Sequence, residues 1–428
     1  MLSVLQQIVS SPARTRFGFS WIPACACSTK TTTIKAPKSS RQWQTKPTKM
    51  GQPVPTTHPH LLQPGELLPG LRKEEFQERR FRLMESIHKY ASRHDDNPKQ
   101  HLVVIPSATK VYMTEKIPYV FRQNTDFLYL SGCLEPDSAL VLMGEKGDDH
   151  KSTLFVRQRD AHSELWDGPR TGVEAAPSLF GVDQALPLTD FNLFLQSFAR
   201  SNRSFVLWYD FMHPLQPDVH RTLREFLGDA WSKMWESPKA LIHRLRLYKS
   251  PAEAALMKAS CRIGGDAITA TIASSYVGIT EHQLFARVDY ECRMRGAEYL
   301  AYPPVVAGGD RANIIHYINN NQVVRDGEMA AYSFCPHHVS HYLGMDVHDT
   351  ALMSRSVPLE PGMVITIEPG IYVSPMNKLA PPQYHGLGVR IEDDVLITPN
   401  GPDVLTASCP KQIDELEKMI SNARSMDL

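Results

Sequence analysis

Apolar and polar positions divide the chain into two kinds of stretch. From about Lys73 to Arg93, apolar residues at Leu83, Met84, Ile87 and Tyr90 fall on one face at helical spacing, with Arg79, Arg80 and Arg82 expected outside. Short apolar runs bounded by turn residues follow: "HLVVIPSA", "FLYLSG", "SALVLM", "TLFVR" and "SFVLWYD". These read as strands, with helical stretches between them, for example around Val219–Trp235. Strands alternating with helices predict an α/β layer, ending near Ser237–Leu241. A helix should open at Ser250, with Pro251 in its first turn and Glu253 closing a capping box. Thr280 and Gln283 repeat the device, and Gly296 marks the stop. Beyond it the pattern turns to strands, "ANIIHYI", "GMVITIEPGIYV" and "GVRIEDDVLIT". Residues 51 to 70, rich in Pro and Gly, read as an extended linker. No tandem repeat of fixed period is visible.

Length and charge narrow the classes. A chain of 428 residues is comfortable for two domains. Formal net charge is zero, which argues against nucleic acid or an anionic membrane as main partner. No apolar run approaches the roughly 18 to 20 residues of a membrane span. Seven scattered cysteines with no CxxC pair argue against a disulfide framework or zinc knuckle and point to a reducing compartment. Charge is uneven, however. No acidic residue precedes Glu66, while Arg14, Arg16, Lys30, Lys35, Lys38, Arg41, Lys46 and Lys49 do. A basic, acid-free, Ser/Thr-rich opening predicts a mitochondrial transit peptide; a basic tail without an address, in a cytoplasmic protein, is the alternative.

Three pieces carry chemistry. The first is "CPHHVSHYLGMDVHD", holding His337, His338, His341 and His348. The second is "TIEPGIY", with Glu368 ending an apolar strand, and the third is "GVRIEDDVLIT", with Glu392 in the next. A carboxylate pushed into an apolar strand is costly unless paired or metal-bound. Alone, each piece has a plain structural reading, a strand-end glutamate in water or a hydrogen-bonded histidine. Together they offer a nitrogen and oxygen donor set suited to Mn, Zn, Co or Fe.

The segments "HHVSHYLGMDVHD", "PGMVITIEPGIY" and "GLGVRIEDDVLIT" resemble the signatures of the pita-bread metallopeptidases, and within them the Xaa-Pro aminopeptidases (aminopeptidase P). "FRQNTDFLYLSGCLEPDSALVL", "ELWDGPRTG", "RLRLYKSPAEAALM" and "AYPPVVAGGDRANIIHY" are similar to the mitochondrial animal type, so the likeness covers about His58 to Asp414. The resemblance implies an α/β (α+β) chain: a transit peptide and linker over 1–55, an N-terminal α/β domain over 66–240 and a pita-bread catalytic domain over 241–414. It implies His341 and Glu368 as ligands of one metal, Glu368 also handling the proton of the attacking water, and Glu392 as the bridge between two metals. His316 matches a histidine near the substrate's amino end. His337 and His348 match histidines that hydrogen-bond the scissile carbonyl and the tetrahedral intermediate, and Arg390 an arginine that steadies the carboxylates. The implied partners are proline-containing peptides and a second copy in a homodimer. The implied cofactor is a pair of Mn²⁺ ions, with Zn²⁺ or Co²⁺ as alternatives.

One family segment is missing. Two aspartate ligands should lie on a ribbon between the "IHY" strand and the histidine cluster. Here only 25 positions separate His316 from His341, and Glu328 is the single acidic residue between Asp326 and Asp346. Ser333 stands where the first aspartate should fall, and Asp326 belongs to a polar turn. The expectation is a pita-bread domain truncated near 329–335, binding at most one ion and impaired as an enzyme. A non-catalytic peptide- or protein-binding form is the alternative.

Overall fold

The computed structural model describes residues 49–93, 100–145, 149–228, 235–309, 311, 314–325 and 337–426. The expected transit segment up to residue 48, and Asp326, Ser333 and Cys335, lie outside the described residues.

The first helix, α1 (Lys73–Ala91), buries Phe76, Leu83, Met84 and Ile87 completely. It also buries Arg79 and Arg80, expected outside, whereas Arg82 is exposed and Tyr90 lies largely in solvent. The reason is carbonyl demand. Arg80 Nη1 donates to Leu130 O at 2.9 Å, and Nη2 to Phe180 O at 3.4 Å and Gly181 O at 2.5 Å. Those oxygens end two helices, α2 (Thr125–Ser131) and α4 (Gly172–Phe180), with α3 (Ala161–Asp167) between them in the chain. One guanidinium thus caps two helix C-termini, where unpaired carbonyls carry partial negative charge. Burial lowers the Arg80 pKa to about 10. Arg79 donates to Tyr129 O and pairs with Glu75 and Glu253.

The "FLYLSG" run forms α2 instead of a strand. Asn124 caps it by accepting from Phe127 N–H at 2.9 Å, and Gly132 closes it in the left-handed region at φ 67°. A short apolar run has no period of its own to separate helix from strand. The other four runs form strands β1 (Gln100–Pro106), β2 (Ala139–Gly144), β3 (Lys151–Val156) and β5 (Phe205–Trp208), and the sheet adds β4 (Gln184–Pro187) and the edge β6 (Trp235–Glu236), which none of the expected runs contains. Their order is β6-β5-β1-β2-β3-β4, with β2 antiparallel to both neighbours and the remaining pairs parallel. Val103 and Ile105 of β1 face one apolar cluster, with α1 and α4; Leu102 and Val104 face the other, with α5 (Phe191–Ser201) and α6 (Pro217–Leu227). Helix α6 is shorter than the expected Val219–Trp235 stretch, and Trp235 belongs to the sheet.

The expected linker is docked in its first part. Gln52 is buried, its amide bridging Gly132 O and Leu134 N–H, and Val54 and Leu62 are buried beside it. A Cβ at Gly51 would lie 2.1 Å from the Glu135 carboxyl carbon, so a side chain there would have to displace this buried carboxylate from Thr171 N–H.

Helix α7 (Lys239–Leu247) leads into the second half. Both predicted capping boxes form, Ser250 with Glu253 on α8 (Pro251–Ala273) and Thr280 with Gln283 on α9 (Glu281–Met294). The "IIHYI" stretch is not a strand. Its backbone closes turns, Ile314 N–H to Arg311 O and Tyr317 N–H to Ile314 O, and among the described residues it pairs with no strand. The last segments form β7 (Val364–Ile367), β8 (Gly370–Tyr372), β9 (Gly388–Arg390), β10 (Asp393–Thr398) and β11 (Gly401–Val404), followed by α10 (Ile413–Met426). The result is mixed α/β, as expected.

Candidate metal centre

Two antiparallel pairings, β7 with β10 and β8 with β9, build one interrupted ribbon. Register places Ile367 opposite Asp393 and Gly370 opposite Arg390. Glu368 therefore follows the end of β7, at the strand end where it was expected, and Glu392, expected within the next strand, falls in the interruption; Ile391 N–H still reaches Pro369 O across it at 3.2 Å. The break frees both carboxylates from the alternation of a pleated strand, so both turn to one side.

The histidine segment lies along the outer edge of β7. Thr366 N–H donates to His341 O and Leu343 N–H to Val364 O, with Tyr342 bridged to Ile365. This register brings His341 Nε2 to 3.2 Å from Glu368 Oε1. Thr366 Oγ1 serves both residues, accepting from His341 N–H and donating to Glu368 Oε1. His341 Nδ1 lies 3.0 Å from Tyr342 O, which commits its proton there and leaves the Nε2 lone pair free. Donor atoms of His341, Glu368 and Glu392 all lie within 4.8 Å of one another. This is the one such group of three or more among the described residues. One imidazole nitrogen and two carboxylates fit a divalent ion.

Arg390 ties the carboxylates together, 3.1 Å from Glu392 Oε2 and 3.8 Å from Glu368 Oε2. Burial opposes the Arg390 charge, but the two glutamates outweigh it and hold its pKa up. Burial raises the Glu392 carboxyl, against Arg390 and with help from Glu368 and Asp394. A buried and a half-buried carboxylate sharing one arginine lack positive charge, which a cation would supply.

The remaining sequence candidates surround this trio without joining it. His348 stacks edge-on to His341, ring centres 4.5 Å apart. Burial lowers its pKa, with His341 and His316 adding to the effect and Glu368 opposing it. His316 is exposed on its turn. His337 Nε2 meets Tyr372 Oη at 2.9 Å.

Sequence reasoning missed the clamp behind His348. Arg246 on α7 donates to Asp126 at 2.6 Å, to Asp346 at 2.7 Å and to Asp349 at 2.5 Å, while Lys249 holds the other Asp349 oxygen at 3.2 Å. His348 sits between the two clamped aspartates of "GMDVHD". Thr366, Tyr372 and Tyr302 were also missed. Burial raises the Tyr302 pKa, as do Glu392, Asp394 and Glu368, against Arg390. Tyr372 alone had a signal, its place in "EPGIY".

Known proteins are similar to this chain in sequence and fold. The "Aminopeptidase P, N-terminal domain" profile matches residues 76–208. The "Metallopeptidase family M24" profile matches in two pieces, 255–334 and 329–399, meeting where the sequence suggested a missing segment. Xaa-Pro aminopeptidase 3 of Mus musculus is 39% identical over 462 aligned positions, covering 87% of this chain and 90% of that protein. Since 87% of 428 residues is about 372, about 90 of those 462 positions have no counterpart here. The mitochondrial intermediate cleaving peptidase 55 of Arabidopsis thaliana is 34% identical, covering 87% of this chain and 88% of that protein. The zinc-substituted Escherichia coli aminopeptidase P, solved with product, superposes with a TM-score of 0.74 at 27% identity, covering 83% of this chain and 99% of that one. Two matching profiles, relatives aligned over nearly their whole length and a shared fold lead to one conclusion: the chain belongs to the Xaa-Pro aminopeptidase family of M24 metallopeptidases.

Proposed function

We propose that this chain is an Xaa-Pro aminopeptidase whose metal centre is reduced to one ion and whose peptide hydrolysis is impaired. The supporting observation is the group of His341, Glu368 and Glu392, the single three-donor group among the described residues. The two aspartates of the family pattern have no counterpart between His316 and His341. One divalent ion, Mn²⁺ or else Zn²⁺ or Co²⁺, fits these three donors, and when bound it lowers the pKa of a water and polarises the scissile carbonyl. The remaining roles fall to the chain itself. Glu368 accepts the proton of the attacking water, and Arg390 keeps both carboxylates aligned. His337, steadied by Tyr372 Oη, and His348, steadied by the Arg246 clamp, hydrogen-bond the carbonyl oxygen. His316 receives the amino end of a peptide with proline second.

The division into 66–240 and 241–414 belongs to this reading, as does a mitochondrial destination, which the acid-free opening and the Arabidopsis relative support. The test compares the purified chain with a form carrying the missing segment, both in Mn²⁺, on a short Arg-Pro-Pro peptide. This chain should release the first residue at least about a hundredfold more slowly, roughly 2.7 kcal/mol of transition-state stabilisation. Metal analysis should give at most one ion per chain. Comparable rates, or two ions, would mean that other residues replace the aspartates. Peptide binding with no turnover at all is the outcome of the non-catalytic alternative.

A further inference from the structure

Four donors converge on one carboxylate that no part of the metal centre touches. Glu281 opens α9 and is fully buried. Its Oε1 accepts from Gly308 N–H at 2.8 Å and Arg311 Nε at 2.9 Å. Its Oε2 accepts from Tyr317 Oη and from Gln322 N–H, each at 2.9 Å. These partners are spread from residue 308 to residue 322, so one side chain gathers a whole loop. The Glu281 N–H returns a bond to Gln322 O, and Val324 N–H reaches Ile279 O, closing the loop at its base.

That loop carries His316. Its described residues form turns and no regular element; besides the turn bonds, Asn320 ties its rear to Val306 N–H and Pro304 O. Tyr317 is buried with its hydroxyl on Glu281, whereas the adjacent His316 is exposed. Fixing the tyrosine inward fixes the direction in which its neighbour leaves the backbone.

We propose that Glu281 is the positioning residue for His316, and through it for the amino end of a bound peptide. The inference rests on the reading of His316 given above. Three of the four partners of Glu281, the Gly308 and Gln322 N–H groups and Arg311 Nε, can only donate, and Tyr317 Oη donates here, so the site favours a group that accepts at both oxygens. A glutamine would turn its NH₂ group on at least one obligatory donor, leaving a backbone N–H such as that of Gln322 unpaired. Burial works against the charge, but the two backbone N–H groups, Arg311 and Tyr317 outweigh it and hold the carboxyl below its ordinary value.

The test is a double-mutant cycle on the full chain, with Arg-Pro-Pro binding read by calorimetry. Glu281→Gln and His316→Ala should each weaken binding about tenfold, and the double variant should do no worse than either single one. Tyr317→Phe removes one donor and keeps the ring in place. It should lose affinity in the same direction and covers the case in which Glu281→Gln does not fold. Leu195→Ala, in the first half's core, should lower the melting temperature without changing affinity. Should His316→Ala leave binding unchanged, the reading of His316 falls and the positioning role with it. Should His316→Ala weaken binding while Glu281→Gln and Tyr317→Phe do not, or should the double variant lose the product of both effects, Glu281 does not act through His316. No binding by the unaltered chain would overturn the role as well.

Discussion

Helices α1 and α8 form for opposite reasons. Helix α1 has no side-chain cap at Arg72, yet it buries six of its 19 residues. Helix α8 has a complete capping box and Pro251 in its first turn, yet of its 23 residues only Gly265 and Ala267 are buried. One is held by tertiary packing, the other by local signals. The contrast extends to both halves of the chain. The first packs a large apolar cluster on each face of its sheet. The second gathers smaller ones, the larger built on Leu247, Tyr342, Met363, Ile365 and Val395. Ile268, Tyr276, Tyr290 and Met294 of its helical part are exposed. The half that is short of burial is the half where the M24 match is broken.

The contrast can be broken at its joint. Arg246→Ala would leave Asp126, Asp346 and Asp349 without their shared guanidinium, and should cost about 3–5 kcal/mol by denaturant unfolding. A loss below about 1 kcal/mol would mean that the halves are coupled by packing alone.

Mild acid should weaken the first half through His101. Trp208 Nε1 donates to its Nδ1 at 3.2 Å, so the folded state needs the neutral ring. Burial lowers its pKa to about 4, with His88 adding and Glu145 opposing. Between that value and the ordinary value near 6.5, the unfolded chain takes up a proton that the folded chain refuses. The contribution is full above pH 6.5 and is lost as pH falls through this window, about 3 kcal/mol in all. Unfolding midpoints of wild type and His101→Gln at several pH values check it. Parallel slopes would exclude His101 as the cause.

Smaller effects sharpen the comparison. Ser250→Ala removes the cap of α8 and should cost about 1 kcal/mol, read as a lower melting temperature. Ile268→Ala, on the exposed side of the same helix, should change stability by less than about 0.5 kcal/mol. A larger loss would show that this face is covered in solution.

What the sequence made legible follows the same division. The apolar spacing of Leu83, Met84 and Ile87 and both capping boxes could be read because each signal lies within a few residues. The three ligand candidates could be read from family motifs, and they do converge. Arg79 and Arg80 could not be, because their partners lie 50 and about 100 residues further on and a charged side chain carries no mark of the carbonyls it will cap. Arg246 was hidden for the same reason, its aspartates lying 120 residues before it and about 100 after. The "IIHYI" run failed differently. Its composition suits a strand, but a strand exists only beside a partner, and there the backbone closes turns instead.

The spacing of the three donors has a mechanical side. His341, Glu368 and Glu392 follow one another at 27 and 24 residues, all beyond the point where the two M24 matches meet. An ion gripping them would staple two chain loops in the less buried half, whether or not it turned over a single peptide. At a hundred times its dissociation constant such an ion would stabilise the folded state by about 2.7 kcal/mol. For a chain cut down in this way, the metal would act first as a rivet in the fold and only second as a reagent.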